Sequence, residues 1–247
     1  MLARVKVCGL TNLADARAAA QAGADLLGFI FYPASPRYVS PEAVRLILAG
    51  LRAEGLAVVG VGVFVNETPA RVAKLLDWCG LQLAQLHGEE PPTDLGLADE
   101  VAVPLRGRAF KALRPQSLRQ AYDLTACYAL PAQLRADGQL PAFLLDTYRA
   151  DRRGGTGQTG DWALAAELAG RYPLLLAGGL SPDNVVEALQ RVCPWGVDVS
   201  SGVERAPGQK DHGAVRAFIE AVREAAMSRP AEDHPGQAPA GRGAIGG

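Results

Sequence analysis

Five short apolar runs in the 247-residue chain end in side chains or glycines able to do chemistry. Cys8 closes RVKVC, Gln85 and His87 close LQLAQLH, and Asp146 closes AFLLD. Gly178 and Gly179 close LLLAGG, and Asp198, Ser200, Ser201 and Gly202 close GVDVSSG. Cys8 and Asp146 are suited to moving protons, one by accepting and the other by donating. A thiol acts as a base only when deprotonated, which nearby positive charge or helix amides favour. A carboxyl that donates near neutrality needs partial burial or a neighbouring anion. Viewed alone, Cys8 is equally an inert core thiol, because free cysteine is among the most buried residue types. The Gly-Gly and Ser-Ser-Gly turns can cradle a phosphate through backbone amides, with Ser200 and Ser201 adding hydroxyls, although Gly-Gly also serves as a plain tight turn.

These residues need elements that bring them to one place. RVKVCGL, ADLLGFIF, AVVGVGVFV, LQLAQLH, AFKAL, AFLLDT, LLLAGG and GVDVSSG read as eight strands buried on both faces. Helix starts lie between them at Thr11-Asn12, Ser40-Pro41 and Ser181-Pro182-Asp183, where a side-chain cap or a proline at the first helical position fits. Eight strands alternating with helices over 247 residues predict an α/β fold, a single (β/α)8 TIM barrel, which typically takes about 250 residues. Reactive groups of such barrels stand at the C-terminal strand ends, so all five run ends face one mouth, and the loops after strands seven and eight often hold phosphate. Between Pro91 and Pro141 the pattern loosens, and CYALPAQLRADGQLPA reads as neither helix nor strand.

Composition narrows the partners. A net charge of -1 offers no field for nucleic acid or an anionic membrane, so a small molecule is expected. Cys8, Cys79, Cys127 and Cys193 lack the close spacing of metal or redox motifs, so no metal site is expected. The start MLARVKVCGL has no long apolar run, and a cytoplasmic location is the expectation. Residues 1–227 read as the barrel domain and 228–247, rich in Pro, Gly and Ala, as a tail too poor in large apolar groups to order. TYRADRRGGTGQTGD, with Gly154, Gly155 and Gly157, reads as a mobile loop able to close over a ligand, and Arg152 and Arg153 as solvated charges.

Taken together in this order, VKVCGLT, GADLLGFIFYPASPRYVSPE, VGVFVN, QLHGEEP, LLDT, LAGGLSPDNV and VDVSSGVE followed by PGQKDH resemble the phosphoribosylanthranilate isomerases of tryptophan biosynthesis. The resemblance implies a cofactor-free Amadori rearrangement of N-(5-phosphoribosyl)anthranilate to the 1-(2-carboxyphenylamino)-1-deoxyribulose 5-phosphate. It implies Cys8 as general base, Asp146 as general acid and Arg37 as ligand of the anthranilate carboxylate, a task that suits a forked guanidinium. Gln85 and His87 would line the pocket, and Gly178, Gly179, Ser200, Ser201 and Gly202 would hold the phosphate. Asp198 is expected to orient the loop of the eighth strand, and His212 to be structural. No cofactor is implied, and the chain is expected as a monomer or homodimer. Two other readings remain: a related histidine-pathway aminoaldose isomerase, whose family resembles a pair of aspartates where this chain has Cys8, and a non-catalytic phosphate-binding barrel, which needs neither Cys8 nor Asp146.

Overall fold

The computed structural model describes residues 3–97, 104–135, 140–147 and 161–227. Eight parallel strands close into a barrel in sequence order: β1 (Arg4–Cys8), β2 (Leu26–Ile30), β3 (Val59–Phe64), β4 (Leu83–Leu86), β5 (Ala109–Leu113), β6 (Phe143–Asp146), β7 (Leu174–Ala177) and β8 (Gly196–Val199), which pairs back onto β1. Each coincides with one of the eight apolar runs of the sequence. Helices α1 (Leu13–Ala22), α2 (Pro41–Ala53), α3 (Pro69–Cys79), α4 (Leu118–Tyr128), α5 (Trp162–Ala169), α6 (Val185–Val192) and α7 (His212–Met227) cover them. A two-stranded hairpin, β9 (Glu204–Ala206) and β10 (Gln209–Lys210), joins β8 to α7.

Local chemistry accounts for most of the starts. The Asn12 side chain accepts from the Asp15 amide at 2.9 Å, and Ser40 Oγ accepts from the Ala43 amide at 3.2 Å with Pro41 at the first helical position. Each cap is worth about 1 kcal/mol. The expected start at Ser181 moves by one turn: Asn184 caps back onto the Ser181 amide at 2.9 Å, so Ser181–Asn184 is a turn and α6 begins at Val185. The stretch between Pro91 and Pro141 is also more regular than its sequence. Ser117 caps α4, which runs through Cys127 and Tyr128, and Pro92–Leu95 and Ala132–Arg135 are short 3-10 turns. Packing of the buried Ala121 and Thr125 outweighs the weak local pattern there. The expectations for 147–161 beyond its two ends, and for the tail 228–247, lie outside the described residues.

Register decides what faces the barrel interior. Following the paired residues around the barrel, Cys8 lies beside Gly28, Gly28 beside Val61, Val63 beside Gln85, and Gln85 beside Phe110. Ala112 then lies beside Leu144, Asp146 beside Ala177, Leu175 beside Gly196, and Asp198 beside Lys6. Partners in a parallel sheet share a face and alternate residues along a strand return to it, so Cys8, Gln85, Asp146 and Asp198 all lie on the inner face. The alternate residues, among them Val5, Val7, Phe29 and Val197, are fully buried beneath the helices. Among the described residues no helix is long and apolar enough to cross a membrane.

The two ends of the barrel chain are fastened through Asp15 on α1. Its buried carboxylate accepts from the Lys210 amide at 2.9 Å, from Asn12 Nδ2 at 2.9 Å and from His212 Nε2 at 2.8 Å, which gives His212 the structural place expected for it. Burial pushes the Asp15 carboxyl up, but these donors prevail and hold it below its ordinary value. The stability it supplies is therefore complete above the ordinary value of 3.8 and is lost as the pH falls through the lower folded value. Asp15→Ala is expected to lower stability by on the order of 2 kcal/mol in urea unfolding near neutral pH, and to flatten the loss of stability seen below about pH 4 in the parent.

Candidate active site

The mouth is built from two charged arcs with two turns between them. On the first arc, Cys8 at the end of β1 is 6% exposed, and its sulfur has room because the neighbouring β2 residue is Gly28, where a Cβ would come within 2.7 Å of Sγ. One step deeper, Lys6 is fully buried and donates to Asp198 at 2.9 Å. Asp198 thus reaches across to β1 and does not orient its own loop as expected from the sequence. Lys210, also fully buried, donates to the Ser200 carbonyl at 3.1 Å and to Glu204 at 2.8 Å. Glu204 in turn takes the Nε and Nη2 edge of Arg37.

This arc sets the electrostatics of the thiol. Burial pushes Cys8 up, Lys6 and Lys210 pull against that rise, and Asp198 adds to it; the first effect prevails. The Lys6 ammonium, which burial would lower, is held above its ordinary value by Asp198 and Cys8. Burial thus favours the uncharged thiol of Cys8, and two cations stand beside the charge it would gain on losing its proton. Of the other cysteines, Cys79 is buried on the helical shell and pushed up to about 11, while Cys127 and Cys193 are exposed.

The second arc joins β4, β5 and β6. Arg114, directly after β5, donates from Nε to Asp146 Oδ2 at 3.1 Å and from Nη2 to His87 Nε2. His87 Nε2 and Asp146 Oδ2 lie 3.8 Å apart. A guanidinium only donates, so His87 Nε2 must accept and the ring proton sits on Nδ1. The Gln85 amide, 2.7 Å from Nδ1, then presents its oxygen to that proton; turned the other way, Gln85 leaves a buried oxygen unpartnered beside the ring. Arg114 escaped the sequence reading, although the rule used for the other strands, a polar residue directly following an apolar run, applies equally to Arg114 after AFKAL.

Between the arcs lie the turns after β7 and β8. Gly178 and Gly179 take φ of 103° and 70°, which a side chain would strain, and the Gly179 carbonyl accepts from Asn184 Nδ2 at 3.0 Å. The β8 turn continues into a 3-10 turn, Ser201–Val203, and packs so tightly on the β7 turn that a Cβ on Gly202 would fall 1.9 Å from the Leu180 carbonyl oxygen. Among the described residues no group of three or more His, Cys, Asp or Glu side chains could hold a metal ion.

Comparison with known proteins fits this arrangement. The family model described as N-(5'phosphoribosyl)anthranilate (PRA) isomerase matches residues 5–221, all eight strands and both arcs included. The chain belongs to that family. The isomerase of Citrifermentans bemidjiense is 44% identical over 226 residues, covering 92% of this chain and all of the relative. The solved phosphoribosylanthranilate isomerase of Thermotoga maritima superimposes with a TM-score of 0.72 at 38% identity, over 90% of this chain and all of that one. A solved isomerase in complex with reduced 1-(o-carboxyphenylamino)-1-deoxyribulose 5-phosphate gives a TM-score of 0.69 at 37% identity, with the same coverage.

The second arc makes a direct prediction. Nitrogen-15 spectra of the histidine rings of the ligand-free isomerase should show His87 as the Nδ1-protonated tautomer, and Arg114→Ala should return it towards the Nε2-protonated form that free imidazole side chains favour. An Nε2 proton on His87 in the parent protein would contradict the arrangement of the arc.

Proposed function

We propose that the chain isomerises N-(5'-phosphoribosyl)anthranilate to 1-(o-carboxyphenylamino)-1-deoxyribulose 5-phosphate with Asp146 as general acid and Cys8 as general base. Family membership supports the reaction, and the observation that carries the roles is the placement of the two groups. They stand on the inner face at the C-terminal ends of β6 and β1, with β7 and β8 and their turns between them. A substrate whose phosphate rests on Gly178, Gly179, Ser200, Ser201 and Gly202 extends its sugar between the two.

Asp146 delivers a proton to the furanose ring oxygen, the C1–O bond breaks, and the anilino nitrogen lone pair forms the C1–N double bond of a Schiff base. Cys8 first gives its thiol proton to solvent, with Lys6 and Lys210 beside the charge that forms, and the thiolate then removes the proton from C2; the electron pair of that bond moves into C1–C2 and the Schiff-base pair returns to nitrogen. The resulting enolamine tautomerises to the ketone. Lys6 and Lys210 support the thiolate on one side. On the other, Arg114 stabilises the carboxylate that Asp146 becomes once its proton has gone; it is a cation where the sequence led us to expect a neighbouring anion or partial burial, so the protonated acid relies on the partial burial of the mouth. Arg37 takes the anthranilate carboxylate, and Gln85 and His87 line the pocket wall beneath Asp146. The solution state we propose is a monomer or homodimer; structures of the Thermotoga maritima relative include monomers of a dimeric enzyme.

The test follows the fluorescence of phosphoribosylanthranilate, formed in place from anthranilate and phosphoribosyl pyrophosphate. The parent chain should speed its decay, and Cys8→Ala and Asp146→Asn should each lower kcat by about 10²-fold or more. Affinity for the reduced product analogue should change far less, since neither group holds the phosphate. Near-normal turnover in either variant overturns that residue's role. Decay no faster than in buffer, with folded protein, leaves a phosphate-binding barrel.

A further inference from the structure

Arg37 does not wait for a carboxylate with a free guanidinium. Its Nε and Nη2 edge is held by Glu204 through contacts of 2.9, 3.0 and 2.7 Å, and the Glu204 carboxylate is only 4% exposed. Glu204 is in turn fixed by Lys210 Nζ at 2.8 Å and by the Gly208 amide at 3.3 Å, so the hairpin grips it from β10 and from its turn. The stem of Arg37 is held separately. It lies against Gly9, where a Cβ would meet Arg37 Cδ at 2.7 Å. Head and stem are therefore both clamped, and the side chain remains 22% exposed.

A carboxylate beside an arginine ordinarily cancels its attraction for a second anion. Here the third member prevents that: Arg37 and Lys210 carry two positive charges against the one of Glu204, so the trio remains cationic. Arg37 and Lys210 also hold Glu204 ionised, below its ordinary value against the effect of burial. An arginine free in the loop after β2 would lose rotamer entropy on fixing a ligand. One already fixed by its Nε edge loses little and offers the Nη1 side.

We propose that Glu204 is a positioning residue for substrate recognition, acting through Arg37 to orient the guanidinium so that its Nη1 side meets the carboxylate of the substrate's aryl ring. The inference rests on the reading of Arg37 given above. It adds to that reading a selection for aryl groups that carry a carboxylate beside the nitrogen, supplied by the first residue of the hairpin β9–β10.

The experiment measures binding of two ligands by calorimetry: reduced 1-(o-carboxyphenylamino)-1-deoxyribulose 5-phosphate and its phenylamino counterpart lacking the carboxylate. Glu204→Gln should weaken the first by about tenfold and the second by less than about twofold. In an Arg37→Ala background the same substitution should change neither ligand further, because its effect passes through Arg37. Equal weakening of both ligands, or an undiminished effect without Arg37, overturns the proposal in favour of a general structural role. Should Arg37→Ala itself fail to distinguish the ligands, the reading of Arg37 falls first. If Glu204→Gln does not fold, Glu204→Asp keeps a charge for Lys210 while shortening the reach to Arg37, and the same selective loss is expected of it.

Discussion

The ion pair between Lys6 and Asp198 lies where the last strand of the barrel meets the first, with Lys6 wholly removed from solvent. Taking two such charges out of water costs several kcal/mol each, and the cost is offset only while they meet at hydrogen-bonding distance. The pairing of β8 with β1 is thereby tied to one register. A slip of one residue would turn Lys6 out among the helices and carry Cys8 with it, two positions along the same strand. From that seam the alternation of inner and outer faces runs without interruption around all eight strands, which is why residues as distant in sequence as Gln85 and Asp146 meet at one mouth.

The charges at that mouth are divided. Around Cys8 the cations outnumber the carboxylates, three against two, counting Lys6, Arg37 and Lys210 against Asp198 and Glu204. Loss of the thiol proton would bring that group to neutrality. Among the described residues, the exposed Arg114 guanidinium meets both the Asp146 carboxylate and the His87 ring. The first arc thus encloses its thiol and cations, while on the second the Arg114 side chain is exposed.

Much of this was legible in the sequence for a simple reason. Strands buried on both faces appear as unbroken apolar runs, and a barrel places whatever follows each run at the same end. Cys8, Gln85, His87 and Asp146 could be found by that rule, and Arg114 escaped only because the rule was not carried to the fifth strand. Other features have no local signature. Glu204 meets Arg37 across 167 residues, and nothing in GVERAPGQKDH marks one acid as buried and another as solvated. Asp198 was legible as a polar strand end, but its partner on β1 is fixed by closure of the whole barrel. The helical state of Leu118–Tyr128 likewise depends on packing against β5 more than on its own composition.

Cys8 belongs to the first strand of the barrel, yet much of what surrounds it is encoded beyond the seventh. Asp198, Ser200, Glu204 and Lys210 are all translated after β7 is complete. A growing chain therefore carries Cys8 without its two-sided burial or its second neighbouring cation until β8 and the hairpin are made. The same holds for any early-stopped product. That surrounding is completed only when β8 and the hairpin dock, so in a copy that stops before them Cys8 lacks the neighbours they supply.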